Sequence, residues 1–134
     1  MGQGRILIID DDPDITEAMT VVLENKGYEV RAAPDSDEGM QRLKEARPDL
    51  MILDVMMRTS QEGFEFSRQI KHDAQFKDIP ILMLTAVKEK KGLDFKSAAG
   101  DEAWLPVEAF LDKPVKPDML IEKVQELLAD RKAK

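Results

Sequence analysis

The feature that most constrains this chain is a set of short apolar runs that each stop at a polar, chemically capable residue. Arg5–Ile9 carries Ile6-Leu7-Ile8-Ile9 and ends at Asp10-Asp11-Asp12, Leu50–Leu53 ends at Asp54, Ile79–Leu84 ends at Thr85, and Phe110-Leu111 runs into Asp112-Lys113-Pro114. Continuous apolar runs this short are the pattern of strands buried on both faces, as strands of a parallel sheet are. Tyr28–Ala33 reads as one more strand.

Helical patterns fill the intervals. Asp12 is placed to cap a helix with Pro13 at its first position, and Ile15, Ala18, Met19, Val22 and Leu23 share one face before Asn25-Lys26-Gly27 ends it. Pro34-Asp35 opens a second helix running to about Ala46, where Arg47-Pro48 stops it. Gln61-Glu62-Gly63 leads into a third, with Phe64, Ser67, Ile70 and Lys71 on one side as a modest buried face. Pro117 starts the last, with Leu120, Val124, Leu127 and Leu128 at helical spacing and Lys132–Lys134 fraying off its end. Between Val87 and Val107 the pattern weakens: Lys88–Lys91 is a charge run, and Gly92, Gly100 and Pro106 oppose a continuous helix. That segment is expected to hold a short or irregular helix and an extended loop. Alternating strands and helices imply right-handed crossovers and an open α/β sandwich, a parallel sheet with helices on both faces. At 134 residues the expectation is a single domain, 1–134, with no output domain.

Composition narrows the function classes. Hydrophobic residues make up 43%, enough for a core, and 20 Lys and Arg against 27 Asp and Glu leave a net charge of −7, which repels phosphate backbones. Nucleic-acid binding by this domain is therefore not expected. The absence of cysteine excludes disulfides, thiolate catalysis and cysteine-ligated metal. The apolar runs are too short to span a bilayer or act as a secretory signal, so no membrane insertion and a cytoplasmic location are expected. His72, the sole histidine, stands among Lys71, Asp73 and Gln75 and reads as an exposed helix position, while Met51, Met56, Met57, Met83 and Met119 read as core and rim filler.

In an open α/β sheet, ligands bind outside the carboxyl ends of the strands, where strand order reverses. With the strands as neighbours, Asp10, Asp11, Asp54, Thr85 and Lys113 converge on one rim. Three clustered carboxylates repel one another, and keeping them ionised at neutral pH calls for a compensating cation. Oxygen ligands without imidazole or thiol suit a hard divalent ion, Mg²⁺ best. The plainer reading is that Asp10–Asp12 caps a helix and Asp54 begins a turn. The spacing Asp10-x-Asp12-x-Asp14 superficially suggests a calcium loop, but Pro13 and the missing Gly and Glu of such a loop oppose it.

Ile8-Ile9-Asp10-Asp11, Leu53-Asp54-Val55-Met56-Met57, Leu84-Thr85-Ala86 and Asp112-Lys113-Pro114, in that order and each at a strand end, resemble the receiver domains of two-component response regulators, from Arg5 to about Asp130. The resemblance implies a flavodoxin-like, doubly wound parallel five-stranded sheet of order 2-1-3-4-5, here with an irregular or shortened fourth helix. It implies that Asp54 accepts a phosphoryl group from a phosphohistidine on a histidine kinase or histidine phosphotransfer protein, with Mg²⁺, and that the domain signals by conformational switching to a downstream protein that the sequence does not specify. Asp11 and Asp54 match metal ligands, the Met56 backbone carbonyl a third, and Asp10 an acid that holds the ion partly through water. Thr85 and Lys113 match the groups that bind phosphoryl oxygens, Thr85 and Phe110 the switch pair, and Pro114 a proline whose preceding bond is usually cis. Such a protein takes phosphate onto itself and loses it slowly; it is not a turnover enzyme. Physical chemistry agrees, because phosphoryl transfer needs chiefly positioning and charge neutralisation.

The chain departs from the family in two places. After Met57 it reads Arg58-Thr59-Ser60-Gln61-Glu62-Gly63, without the usual proline and with about one extra residue, which predicts a more mobile loop. The separation of Thr85 and Lys113 is several residues longer than the family's. Met56 and Val87, which offer no side-chain hydrogen bond to an attacking water, predict slow self-dephosphorylation, and Trp104 is a reporter for the extended segment. Two rival functions remain: a degenerate receiver acting as a phosphorylation-independent interaction scaffold, and a haloacid-dehalogenase-like phosphatase with Asp10 as nucleophile.

Overall fold

The computed structural model describes residues 4–54, 62–86, 109–113 and 115–133, of which 64, 85, 86, 110, 112, 113 and 130–133 are described in their backbone only. Strands β1 (Gly4–Ile9), β2 (Tyr28–Ala33), β3 (Leu50–Asp54), β4 (Ile81–Ala86) and β5 (Ala109–Lys113) form one parallel sheet in the order β2-β1-β3-β4-β5. The described helices are α1 (Pro13–Asn25), α2 (Ser36–Glu45), α3 (Glu62–Lys71) and, after β5, α4 (Pro117–Ala133). The expected flavodoxin-like order is thus the observed one.

The strand period of two divides the core. Leu7, Ile9, Met51, Leu53, Ile81 and Met83 face Leu43 of α2 with Phe66 and Ile70 of α3; Ile6, Ile8, Leu50, Ile52, Leu82 and Leu84 face Met19 and Leu23 of α1 with Leu120, Val124, Leu127 and Leu128 of α4. Both faces of the central strands are therefore dry, which explains the continuous apolar runs.

Helix starts follow the expected chemistry. Asp12 stays extended, and its carboxylate accepts hydrogen bonds from the Asp14 and Ile15 N–H groups at 3.0 and 3.3 Å, with Pro13 at the first helical position. Gly27, with φ of 95°, takes the left-handed turn after α1 that a side chain would oppose. Asp35, also extended, caps α2 by accepting from the Glu38 N–H at 2.9 Å, so that helix opens at Ser36 rather than at Pro34.

Other details also differ from the sequence expectation. Strand β4 begins at Ile81, not Ile79: Pro80 has no N–H to give the ladder, and the Ile79 carbonyl instead accepts from Lys71 Nζ at 2.9 Å. Among the described side chains of α3, Glu62, Gly63, Phe66, Ser67 and Ile70 are buried and Lys71 is half-buried, the side chain of Phe64 lying outside the described residues, while Ala18 of α1 and Met119 of α4 are exposed. Helix α4 continues through Lys132 to Ala133, both adequate helix formers with no breaker between them. His72 is exposed as expected but lies just past α3, its Nδ1 2.7 Å from the Arg68 carbonyl oxygen. The loop 58–61 and the segment 87–108, with its expected irregular helix and Trp104, lie outside the described residues.

Candidate functional site

β1 and β3 run side by side with Ile8 opposite Ile52 and Ile9 opposite Leu53. One residue further along, the same register brings Asp10 beside Asp54, the last residue of β3. One carboxylate oxygen from each of Asp10, Asp11 and Asp54 lies within 4.8 Å of the other two. Asp10 and Asp54 are only 3% and 4% exposed, whereas Asp11 stands in solvent.

The turn after β1 builds this arrangement locally. The Asp10 N–H donates to the Ala33 carbonyl at 3.1 Å, tying the strand end to β2, and Asp10 Oδ1 accepts from the Asp12 N–H at 2.9 Å. The same turn then caps α1 through Asp12, so the two acids with different tasks are fixed by adjacent hydrogen bonds. A cleft of about 320 Å³ opens beside Asp10 and Asp11, lined by Pro13, Thr16, Ala32, Ala33 and Pro34.

A hard divalent cation suits these donors. Mg²⁺ takes oxygen ligands at about 2.1 Å, so two oxygens on one ion stand roughly 3 to 4 Å apart, a spacing the cluster reaches with small side-chain adjustment. Two of the three carboxylates are withdrawn from water, where their mutual repulsion is least screened and a cation is held most strongly.

The remaining rim residues follow from the strand register. Asp54 is paired with Leu84, which places Thr85 one residue beyond it on the neighbouring strand, and Thr85 and Ala86 are paired with Asp112 and Lys113 of β5. The backbones of Thr85 and Lys113 thus end β4 and β5 on the same rim as the acids. The side chains of Thr85, Phe110 and Lys113, together with Met56 and Pro114, lie outside the described residues.

One buried acid was not anticipated in any role beyond leading into α3. Glu62 is 8% exposed, and its Oε2 accepts from both the N–H and the hydroxyl of Ser36 at 2.9 and 2.7 Å.

Residues 6–125 match the family model described as the response regulator receiver domain. The chain belongs to the response regulator receiver domain family. Among curated proteins this receiver is 36% identical over 126 residues to the DNA-binding dual master transcriptional regulator RpaA of Synechocystis sp., a match covering 92% of this chain and 48% of RpaA. It is 32% identical over 123 residues to the DNA-binding response regulator MtrA of Mycolicibacterium smegmatis, covering 90% and 49%. The receiver thus spans about half the length of the curated relatives it matches. Among solved structures, a putative response regulator from Chloroflexus aurantiacus superposes with a TM-score of 0.80 at 34% identity, covering 94% of this chain and 98% of that one. The signal receiver domain of a histidine kinase from Syntrophus aciditrophicus does so with a TM-score of 0.80 at 29% identity, covering 95% and 91%. The protein is a receiver of two-component signalling, and phosphoacceptor function is the function of its family.

Proposed function

We propose that Asp54 is the phosphoacceptor and that residues 1–134 act as one receiver domain. The observation that carries the assignment is the carboxylate of Asp54, at the end of a central strand, within 4.8 Å of those of Asp10 and Asp11. A carboxylate oxygen of Asp54 attacks the phosphorus of a phosphohistidine on a histidine kinase or phosphotransfer protein; the new O–P bond forms as the N–P bond breaks, and the imidazole leaves. Asp11 and Asp54, with the Met56 carbonyl, would hold Mg²⁺ directly and Asp10 partly through water. When bound, that ion neutralises charge on the phosphoryl oxygens and on the acids around them. Thr85 and Lys113 take the remaining phosphoryl oxygens, and Thr85 with Phe110 forms the switch. Pro114 is proposed as the cis proline.

In this reading the chain is a phosphorylated signalling protein of the cytoplasm, not an enzyme that turns over a separate substrate. Among the described residues no helix is long and apolar enough to cross a membrane. The DNA-binding named for RpaA and MtrA belongs to those proteins; for this receiver the proposed partners are the phosphodonor and a downstream protein.

The test is incubation with a small acyl phosphate and Mg²⁺, followed by mass mapping. One phosphoryl group on Asp54, absent in Asp54→Asn and absent in excess chelator, is the expected result. Modification of Asp10 instead would identify a dehalogenase-like phosphatase, and no modification at all a scaffold.

A further inference from the structure

We infer that Glu62 is a positioning residue for the carboxylate cluster, a role in phosphoryl transfer that rests on the reading of Asp54 as phosphoacceptor. The two connections that flank the cluster meet at this side chain. One is the β2–α2 connection: Ala33 accepts the Asp10 N–H, and Pro34 and Asp35 lead from there to Ser36. The other is the connection from Asp54 to α3, which Glu62 opens. Glu62 Oε2 closes the loop between them by accepting both the Ser36 N–H and the Ser36 hydroxyl, across 26 residues of sequence.

Helix capping alone does not account for a buried acid here. Helix α2 already has its own cap in Asp35 and two more acids, Asp37 and Glu38, in its first turn. Burying another carboxylate carries a desolvation cost that an apolar residue at 62 would avoid. What the acid adds is location: it fixes where the α2 N-terminus stands relative to the start of α3. A second contact braces the same helix. Gly39 brings α2 so close to β1 that an added Cβ would stand 2.5 Å from Cδ1 of Ile9, the residue before Asp10, and 3.6 Å from Cζ of Phe66 in α3. The first turns of α2 thus rest on the Asp10 strand directly and on the first turn of α3 through Glu62.

The test compares wild type, Glu62→Ala, Glu62→Gln and Ser36→Ala, with Ile70→Val as a control that loosens the buried far end of α3. Mg²⁺ affinity by calorimetry and the rate of labelling by acetyl phosphate are read beside thermal unfolding. Glu62→Ala is expected to weaken Mg²⁺ binding by about tenfold, the lower end of what loss of an outer-shell partner costs, and to slow labelling by a similar factor. Glu62→Gln, which keeps an acceptor of the same length, recovers most of both, and Ser36→Ala, which keeps its N–H, falls between. Ile70→Val lowers the unfolding temperature and leaves Mg²⁺ affinity at the wild-type value. Where Glu62→Ala does not fold, Glu62→Asp carries the comparison, being one methylene short with the charge kept. A folded Glu62 variant with wild-type affinity and labelling overturns the inference, as does Ile70→Val moving both by the same factor. Wild type that binds Mg²⁺ but takes no phosphate sinks the phosphoacceptor reading instead, and the affinity comparison still decides the role of Glu62.

Discussion

Gly39 sets how closely α2 approaches β1, and the two effects of giving it a side chain oppose each other. Gly39→Ala gains about 1 kcal/mol in helix propensity, but its Cβ meets Ile9 Cδ1 and Cγ1 at 2.5 and 3.1 Å in a fully buried site, and such overpacking costs typically about 1–3 kcal/mol. Urea unfolding should therefore show a net loss of about 1 kcal/mol for Gly39→Ala. Ile9→Val removes the offending methyl, so the double variant should recover more than additivity predicts. An additive pair would mean that the contact is relieved elsewhere. A second residue gives a pH signature. Burial raises the hydroxyl of Tyr28, the only tyrosine, above its ordinary 10.0. A folded-state value above the unfolded one means that the contribution is full below about pH 10 and is lost as pH rises through the raised value. The phenolate absorbance should titrate later in native than in urea-unfolded protein, and Tyr28→Phe should flatten this part of the stability profile. At this scale the sequence was readable where a residue's task is local, as for Asp12 before Pro13. Glu62 was not, since its partner lies 26 residues away and nothing near it in the chain signals a buried acid.

Caps and breakers explain most of what was legible about the elements, and the exceptions have the same cause. Asp12 and Pro13 give the start of α1 because capping is a matter of three or four adjacent residues. The start of β4 lies later than the apolar run suggests because Ile79 and Pro80 are buried like strand residues; the Pro80 carbonyl accepts from the Met51 N–H at 3.0 Å but the proline has no N–H of its own, and the strand begins at Ile81. In α3 the period read from Phe64, Ser67 and Ile70 did not include Phe66, which joins the core beside Gly39. One consequence is testable at the level of the first helix. Asp12→Ala removes the carboxylate that caps α1 but keeps the backbone N–H that donates to Asp10. It should lower unfolding stability by about 1 kcal/mol and leave Mg²⁺ affinity nearly unchanged. A large loss of affinity would show that the cap and the carboxylate cluster are one unit.

With Mg²⁺ held as proposed, the acids at the strand ends set the response of the whole molecule to metal. Their site was legible before the fold because strand order alone brings β1 beside β3, and the acids follow the last apolar residue of each. In chelator, Asp54→Asn should unfold at a higher temperature than wild type, since it removes one of three mutually repelling charges. Saturating Mg²⁺ should reverse that order, because an ion bound only to the native state at a hundred times its dissociation constant stabilises it by about 2.7 kcal/mol. Thermal scans of both proteins with and without the ion read this directly, and a ranking that Mg²⁺ does not change would count against metal binding at this cluster. The β1–β3 pairing has one more implication, for the order of events as the chain folds. Ile6 pairs with Leu50 across the whole of α1, β2 and α2, so the pair of acids on one strand and the single acid on the other are strangers until that long loop closes. The cation can recognise nothing earlier than this closure. Mg²⁺ should accordingly slow unfolding in proportion to how late the strands join, and the ratio of its effects on the two rates would date the meeting of β1 and β3 on the folding path.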